Sequence, residues 1–477
     1  MTALVPLWPE FAFKPHQEIG VTWIIEREDD EPSGGIVCDE MGLGKTIQLL
    51  AVLKRERLTK TILIAPVAVL TQWEQAAKKS GITVYRPKVA GLQQEWVAES
   101  FASITAAKIY LIGYEMALSR PHLIIEKKWT RLICDEAHRV ASSSNRLHEM
   151  VSIIEADHRW FLTATPIVNS EKDIKGLLKL LRVDGPWTLK ESVGMYVMAR
   201  SMDDLRASIR DAPPKPIIHR ISLPFLTEEE RDFYKNVSGL IVKRWKMLED
   251  EGGPGVAIMR LKLFMRLRQI SVHPQVYIEA RKGGRYTQNH PNWLETSTKF
   301  HAVKRLIEKG GPKHKWIVFS HFHTEMELLQ KELLGLPTVG KVHLYNGSIS
   351  AAERTAIIEE SKEESPLTQV LLIQLQSGGV GLNLQHFDRI VFTGPWWTSA
   401  LMEQAIGRAV RIGQHETVQV YHLTLIEEEA LNIDRFMSQK AEAKGTLCKE
   451  ILGAAWPRAP ARAKTTTKEE ATPSKET

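Results

Sequence analysis

At 477 residues, 43% apolar and 25% charged, the chain exceeds what one hydrophobic core serves and has the balance of a globular protein. No apolar run is long enough for a membrane span and no secretory signal opens the chain; three cysteines without paired spacing argue for a reducing compartment, hence a soluble intracellular protein of nucleus or cytoplasm, or of the nucleoid in a bacterium. No Cys/His cluster has zinc-ligand spacing, and 63 Lys+Arg against 57 Asp+Glu is too small an excess to identify a polyanionic partner by itself.

Taken in chain order, the first informative element is the apolar run Gly34-Gly35-Ile36-Val37, a predicted strand, which opens into Cys38-Asp39-Glu40-Met41-Gly42-Leu43-Gly44-Lys45-Thr46. A helix is predicted from Ile47. Glycines at 42 and 44 let the backbone approach phosphate oxygens, and the amides at a helix start attract anions. Lys45 can reach β and γ phosphates and the Thr46 hydroxyl can hold Mg²⁺. The strict GxxxxGK[ST] pattern is not met, because Asp39 stands where its first glycine belongs.

Ile62 to Ala65 and Ile109 to Ile112 read as further strands. Leu132-Ile133-Cys134-Asp135-Glu136-Ala137-His138 is an apolar strand ending in two acids. Such a strand can deliver a Mg²⁺-binding Asp135 beside the phosphate loop, with Glu136 orienting or deprotonating water. Cys38 and Cys134 read as small buried hydrophobes beside that loop, not as ligands or redox groups. His138 serves equally well as a link to a facing lobe or as a strand cap. Trp160 to Thr163 closes the first set of strands, and Pro213-Pro214 with Pro216 breaks the chain there.

Thr227-Glu228-Glu229-Glu230 begins a long helix, Gly252-Gly253-Pro254-Gly255 ends it, and a second helix runs to about Ile270. Lys315–Ser320, Val342–Tyr345, Val370–Gln374 and Arg389–Thr393 read as a second set of strands. Arg408 and Arg411 lie three apart in Gln404-Ala405-Ile406-Gly407-Arg408-Ala409-Val410-Arg411, so both share one face of a predicted helix and can point at one γ-phosphate. A last helix, Glu427 to Lys444, reads as a brace. From Trp456 on, Pro, Ala, Lys, Thr and Glu replace the apolar pattern, as in disordered tails. No segment reads as an added β-hairpin pin.

Together DEMGLGKT, DEAH, LTATP and QAIGRAVRIGQ resemble motifs I, II, III and VI of the Snf2 branch of superfamily 2 helicase-like ATPases. Phe13 to Gln17, Leu63 to Trp73, Gly113 to Glu115, Val318 to Phe322 and Ser377 to Leu384 are similar to that branch's remaining motifs. The wording Gly394-Pro395-Trp396-Trp397 is similar to the Rad5/Rad16 group, whose RING insertion is absent here because no CxxC occurs. The compact length suits a viral or bacterial member. The resemblance implies an α/β fold of two RecA-like lobes with a helical insertion: residues 1–212 as the ATP-binding lobe, 213–297 as the insertion, 298–455 as the second lobe with its brace, and 456–477 as a tail.

It further implies an ATP- and Mg²⁺-dependent translocase on double-stranded DNA, a monomeric motor acting on DNA-bound proteins, with no zinc and no membrane. A strand-separating helicase and a non-hydrolysing DNA-binding scaffold are the rival readings. The implied catalytic set is Lys45, Asp135, Glu136, Gln404, Arg408 and Arg411. Gln17 and the segment from Asp39 through Glu40, Met41, Gly42, Leu43 and Gly44 to Lys45 and Thr46 would bind nucleotide, with Thr46 and Asp135 holding the metal. Thr71, Tyr114, Ser320, Asn346, Ser377 and Gly378 would touch the phosphodiester backbone; loop surface is the competing reading for each.

Overall fold

The computed structural model describes residues 4–55, 59–90, 93–100, 107–251, 255–282, 291–312, 314–375, 382–428 and 430–456. Ser377, Gly378 and the tail after Trp456 lie outside them. Two α/β units of RecA-like type are built on separate sheets.

The first sheet holds β1 (Gly34–Val37), β2 (Lys60–Ala65), β3 (Thr83–Ala90), β4 (Gln93–Ser100), β5 (Lys108–Gly113), β6 (Trp129–Asp135), β7 (Ala156–Leu162) and β8 (Val197–Met198). Their order is β4-β3-β5-β2-β6-β7-β1-β8, parallel except between β3 and β4. Strands such as Ile62-Leu63-Ile64 and Leu132-Ile133-Cys134 are apolar at every position because helices cover both faces of a parallel sheet. Alternate residues divide between the faces: Ile62, Ile64, Leu132 and Cys134 enter one core, Leu63, Ala65 and Ile133 the other. Helix α1 (Pro15–Glu28) packs beside β1, α2 (Lys45–Arg55) follows the loop after it, and α3 (Val67–Lys79) follows β2.

The second sheet is wholly parallel: β9 (Ile217–Leu223), β10 (Lys315–Ser320), β11 (Val339–Tyr345), β12 (Thr368–Gln374), β13 (Arg389–Phe392) and β14 (Gln419–Leu425), ordered β11-β12-β10-β13-β14-β9. Between β9 and β10 the helices Glu228–Glu251, Val256–Val272 and Pro274–Glu279 pack around Tyr234, Ile241, Phe264 and Tyr277, joined by Ile433 and Met437 of the last helix, Ile433–Leu452.

Four expectations change. Segment 217–223 is not part of the helical insertion but a strand of the second sheet, paired along its length with β14. Its alternation of exposed and half-buried side chains marks an edge strand, which an apolar-run search passes over. Strands β3 and β4 form an antiparallel hairpin; Pro87 and the polar Gln93-Gln94-Glu95 disguise it, and Pro87 is tolerated because β5 pairs only with Thr83 to Tyr85. The brace helix starts at Ile433, not Glu427, capped by Asn432. Finally, Trp456 is ordered: its N–H donates to Val197 O at 2.8 Å, its carbonyl accepts from Ala199 at 2.9 Å, and its ring stacks on Trp23.

Candidate active site between the two lobes

The loop after β1 turns through Gly42 (φ +88°) and Gly44 (φ +85°), a region L side chains rarely adopt. At Gly44 a Cβ would also come within 2.6 Å of Gln17 Nε2. Gln17 itself accepts from Lys14 N–H and donates to Leu43 O at 3.4 Å, so its carboxamide ties α1 to the loop. Asp39 is fully buried, its carboxylate held by Nε and a terminal nitrogen of Arg200 and by Gln48 Nε2. The acid that breaks the glycine pattern is thus an anchor beneath the loop, and its carboxylate is not available to a nucleotide. It meets the site through its carbonyl, which accepts from Lys45 Nζ at 2.6 Å. Glu40 accepts from Met202 N–H, so segment 198–202 holds the loop from behind. Lys45 and Thr46 open α2, half-buried, on the loop's inner side.

Beside the loop, β6 ends at Asp135 and Glu136. Asp135 Oδ2 accepts from Trp73 Nε1 at 2.7 Å, and Oδ1 accepts from Glu136 N–H. Burial, with the Glu136 charge adjoining, pushes the Asp135 carboxyl up to about 6, while Lys45 opposes the shift. Glu136 sits in the left-handed region (φ 50°, ψ 49°), a strained turn for a residue with a side chain. Its buried Oε2 has no hydrogen-bond partner. His138 Nδ1 lies 3.5 Å from that oxygen and 3.2 Å from Thr163 Oγ1, and burial holds the imidazole down to about 4, so it is neutral at pH 7. His138 therefore links Glu136 to the Thr163 strand end within the first lobe.

From the second lobe come Gln404, Arg408 and Arg411. Helix Ser399–Ile406 carries Gln404, which is buried, but the arginines do not lie on it as expected. Gly407 caps the helix, and both sit in successive tight turns, Arg408 N–H to Ala405 O and Arg411 N–H to Ala409 O. Such turns still keep residues three apart on one side. Arg408 is 3% exposed; burial and then Arg411 pull it down to about 10, against the attraction of Glu136 and Asp135. Arg411 donates to Leu382 O at 3.3 Å. Ile412 packs on Leu43, Met202 and Ile209, which seats the arginine turn on the phosphate loop.

Thr46 and Asp135 offer a hydroxyl and a carboxylate. No group of three or more His, Cys, Asp or Glu converges among the described residues. One carboxylate suffices for Mg²⁺, which keeps waters and takes phosphate oxygens as its remaining ligands. The donor set fits.

The expected backbone-contact residues fare differently. Thr71 is exposed on α3. Tyr114 is fully buried and its hydroxyl donates to Asp135 O at 2.7 Å, so it supports the carboxylate strand and faces no surface. Ser320 is buried at the end of β10. Asn346, 9% exposed, spends its Oδ1 on Ser348 N–H and Oγ. Arg200 and Trp73 are the residues missed; their partners lie 161 and 62 positions away, and no local pattern announces them.

Two lobes of parallel sheet with a charge set divided across the cleft define a helicase-like ATPase core. The SNF2-related domain model matches residues 16–192, and the helicase conserved C-terminal domain model matches residues 298–413. A "Probable global transactivator" of Orgyia pseudotsugata multicapsid polyhedrosis virus is 26% identical over 92% of this chain and 91% of its own. The ISWI chromatin-remodeling complex ATPase ISW2 of Saccharomyces cerevisiae is 25% identical over 91% of this chain, which spans 41% of that protein. Among solved structures, a Sulfolobus solfataricus SWI2/SNF2 ATPase core in complex with dsDNA is 23% identical, covering 95% of this chain and 99% of that one, with a TM-score of 0.39. The chain belongs to the Snf2 branch of the superfamily 2 helicase-like ATPases, and it is an enzyme that uses ATP. Among the described residues, no helix is long and apolar enough to cross a membrane.

Proposed function

We propose that the chain is a motor that tracks along double-stranded DNA and displaces proteins bound to it. The observation that carries this reading is Arg408, a buried second-lobe guanidinium within electrostatic reach of Glu136 and Asp135 of the first. Turnover then requires the lobes together, and their separation after hydrolysis shifts one lobe's grip relative to the other.

In this reading the loop amides from Glu40 to Gly44 and the Lys45 ammonium hold the β and γ phosphates. Mg²⁺, held by Asp135 and Thr46, would neutralise developing phosphate charge. Glu136 orients and deprotonates the attacking water through its orphan oxygen, its aim fixed by the left-handed turn and neutral His138. Arg408 and Arg411 meet the charge that grows on the γ-phosphoryl in the transition state, while Gln404 fixes the water or the phosphate edge. Gln17 closes the adenine side.

Tracking needs only a grip on backbone phosphates, whereas unwinding also needs a wedge, each base-pair step costing about 1.4 kcal/mol. Among the described residues, the β3–β4 hairpin is the feature that favours the strand-separating alternative. Two assays decide between them. A tracking motor displaces the third strand of a triplex, is stimulated by duplex DNA at least as well as by single strands or RNA, and leaves a forked duplex annealed. Efficient fork opening without triplex displacement would overturn the reading.

A further inference from the structure

The turn Gly394-Pro395-Trp396-Trp397 leads out of β13 and directly into helix Ser399–Ile406, which carries Gln404 and ends at the arginine turns. Thr398, the residue at the N-cap of that helix, makes no capping hydrogen bond with its side chain. The packing of the preceding turn then sets where the helix begins and how it points.

The two adjacent indoles enter different cores. Trp396 packs against the second-lobe cluster that holds Met402 and Ala405 of the helix and Ala409 beside Arg408. Trp397 packs into the helical core, where its ring stacks on Phe264 with centroids 4.2 Å and planes 21° apart. On the same helix, Val256–Val272, the Arg268 guanidinium lies 4.5 Å from the Trp396 ring centroid. Phe264 and Arg268 are four apart and share one helix face, so a single helix grips both indoles.

Arg268 is 4% exposed, and Glu325 and Asp434 attract its buried charge. His321 stacks on Trp396 at 5.4 Å and 11°, and burial, with Arg268 and Lys299 nearby, keeps the imidazole neutral. Its one N–H, at Nε2, donates to Gly394 O at 3.2 Å. A Cβ at position 394 would stand 3.3 Å from both that nitrogen and Lys299 Nζ, so glycine lets the turn seat there.

We propose that Phe264 and Arg268 are positioning residues for ATP hydrolysis: the helical insertion holds the two tryptophans and, through them, aims Gln404, Arg408 and Arg411 across the cleft. The inference rests on the roles given to those three residues above. A reacting group displaced by about 1 Å can lose about a hundredfold in rate, so a small tilt of helix Ser399–Ile406 is enough.

The test is a double-mutant cycle on the steady-state ATPase of the full chain, with thermal midpoints as the control for folding. Arg268→Met keeps the length of the side chain and removes the guanidinium. It should lower kcat by about ten- to hundredfold and leave the KM for ATP within about twofold. Phe264→Leu keeps apolar volume without the stacked ring and should lower kcat several-fold in the same manner; it carries the test if the Met variant does not fold. In an Arg411→Ala background each change should cost at most about threefold more, because the group it misplaces is already gone. A residue that only supports the fold would subtract the same factor in both backgrounds. Additive losses therefore overturn the inference, as would wild-type kcat in both single variants. Normal turnover in Arg411→Ala alone would instead overturn the role given to that arginine.

Discussion

Trp73 Nε1 donates to Asp135 Oδ2 at 2.7 Å, joining α3 to the carboxylate proposed to hold the metal. Two residues earlier on the same helix, Thr71 is exposed. A single helix turn therefore carries both a surface-facing hydroxyl and a buried donor that fixes a carboxylate. Trp73→Phe keeps the packing and deletes the bond, leaving Oδ2 without its donor, a loss of about 1–3 kcal/mol. ATPase titrated with Mg²⁺ should require several-fold more metal in that variant; an unchanged Mg²⁺ profile would show the indole to be packing alone.

Lys45→Ala should lose about three decades of turnover while keeping its fold, since a cationic contact to the transferring phosphoryl is typically worth that much. Purified variant with wild-type ATPase would remove the assignment.

Glu136 combines the chemical role proposed for it with an unfavourable backbone. Glu136→Gln should bind ATP and turn over slowly. Glu136→Gly should be equally inactive yet more stable by about 1 kcal/mol, because glycine adopts the left-handed turn without penalty and no buried carboxylate oxygen remains. Denaturant midpoints of the two variants check this; a Gly variant no more stable than the Gln variant would contradict it.

Asp135 gives a pH signature. Its folded value, about 6, lies above the ordinary value of 3.8, so the folded state binds the proton more tightly than the unfolded state. Stability therefore falls as pH rises from about 4 to 6 and stays lower above. Asp135→Asn should raise the thermal midpoint of ligand-free protein at pH 8 and give no gain at pH 4, where the native acid is already protonated, while turnover is lost at both. A gain independent of pH would refute the burial argument.

Arg411→Ala should reduce turnover far more than ATP affinity, because a guanidinium facing transition-state charge leaves ground-state binding nearly intact. Normal turnover with weakened nucleotide binding would make it a ground-state ligand.

What the sequence disclosed was local chemistry. The phosphate loop, the two acids at the end of β6 and the paired arginines stand in contiguous stretches whose residue types serve one purpose each, and the inner strands of both sheets carry continuous apolar runs such as Ile62-Leu63-Ile64 and Val370-Leu371-Leu372-Ile373. What stayed hidden was assembled across distance or through compromise. Arg200 beneath Asp39 and Trp73 beside Asp135 are ordinary residues until the fold brings them to their partners. Strand β9 alternates as an edge does, and the β3–β4 hairpin carries a proline. The motifs of Tyr114 and Ser320 suggest surface positions, yet Tyr114, opening the helix after β5, and Ser320, ending β10, are both fully buried.

The course of the final helix has a mechanical corollary. Its first turns, at Ile433 and Met437, belong to the helical core beside the second sheet, whereas Leu447, Ile451 and Leu452 pack into the first lobe's core and Trp456 bridges to Met198 at its sheet edge. The chain thus crosses between the lobes twice, once before β9 and once at its end. Two bodies joined by two separated straps cannot drift apart freely; they swing about the line through both straps, like a door on a pair of hinges. In the proposed motor each catalytic cycle would then become rotation about a defined axis, and cutting the second strap, for example by Trp456→Ala with Ile451→Ala, should loosen the coupling of hydrolysis to movement before it touches hydrolysis itself.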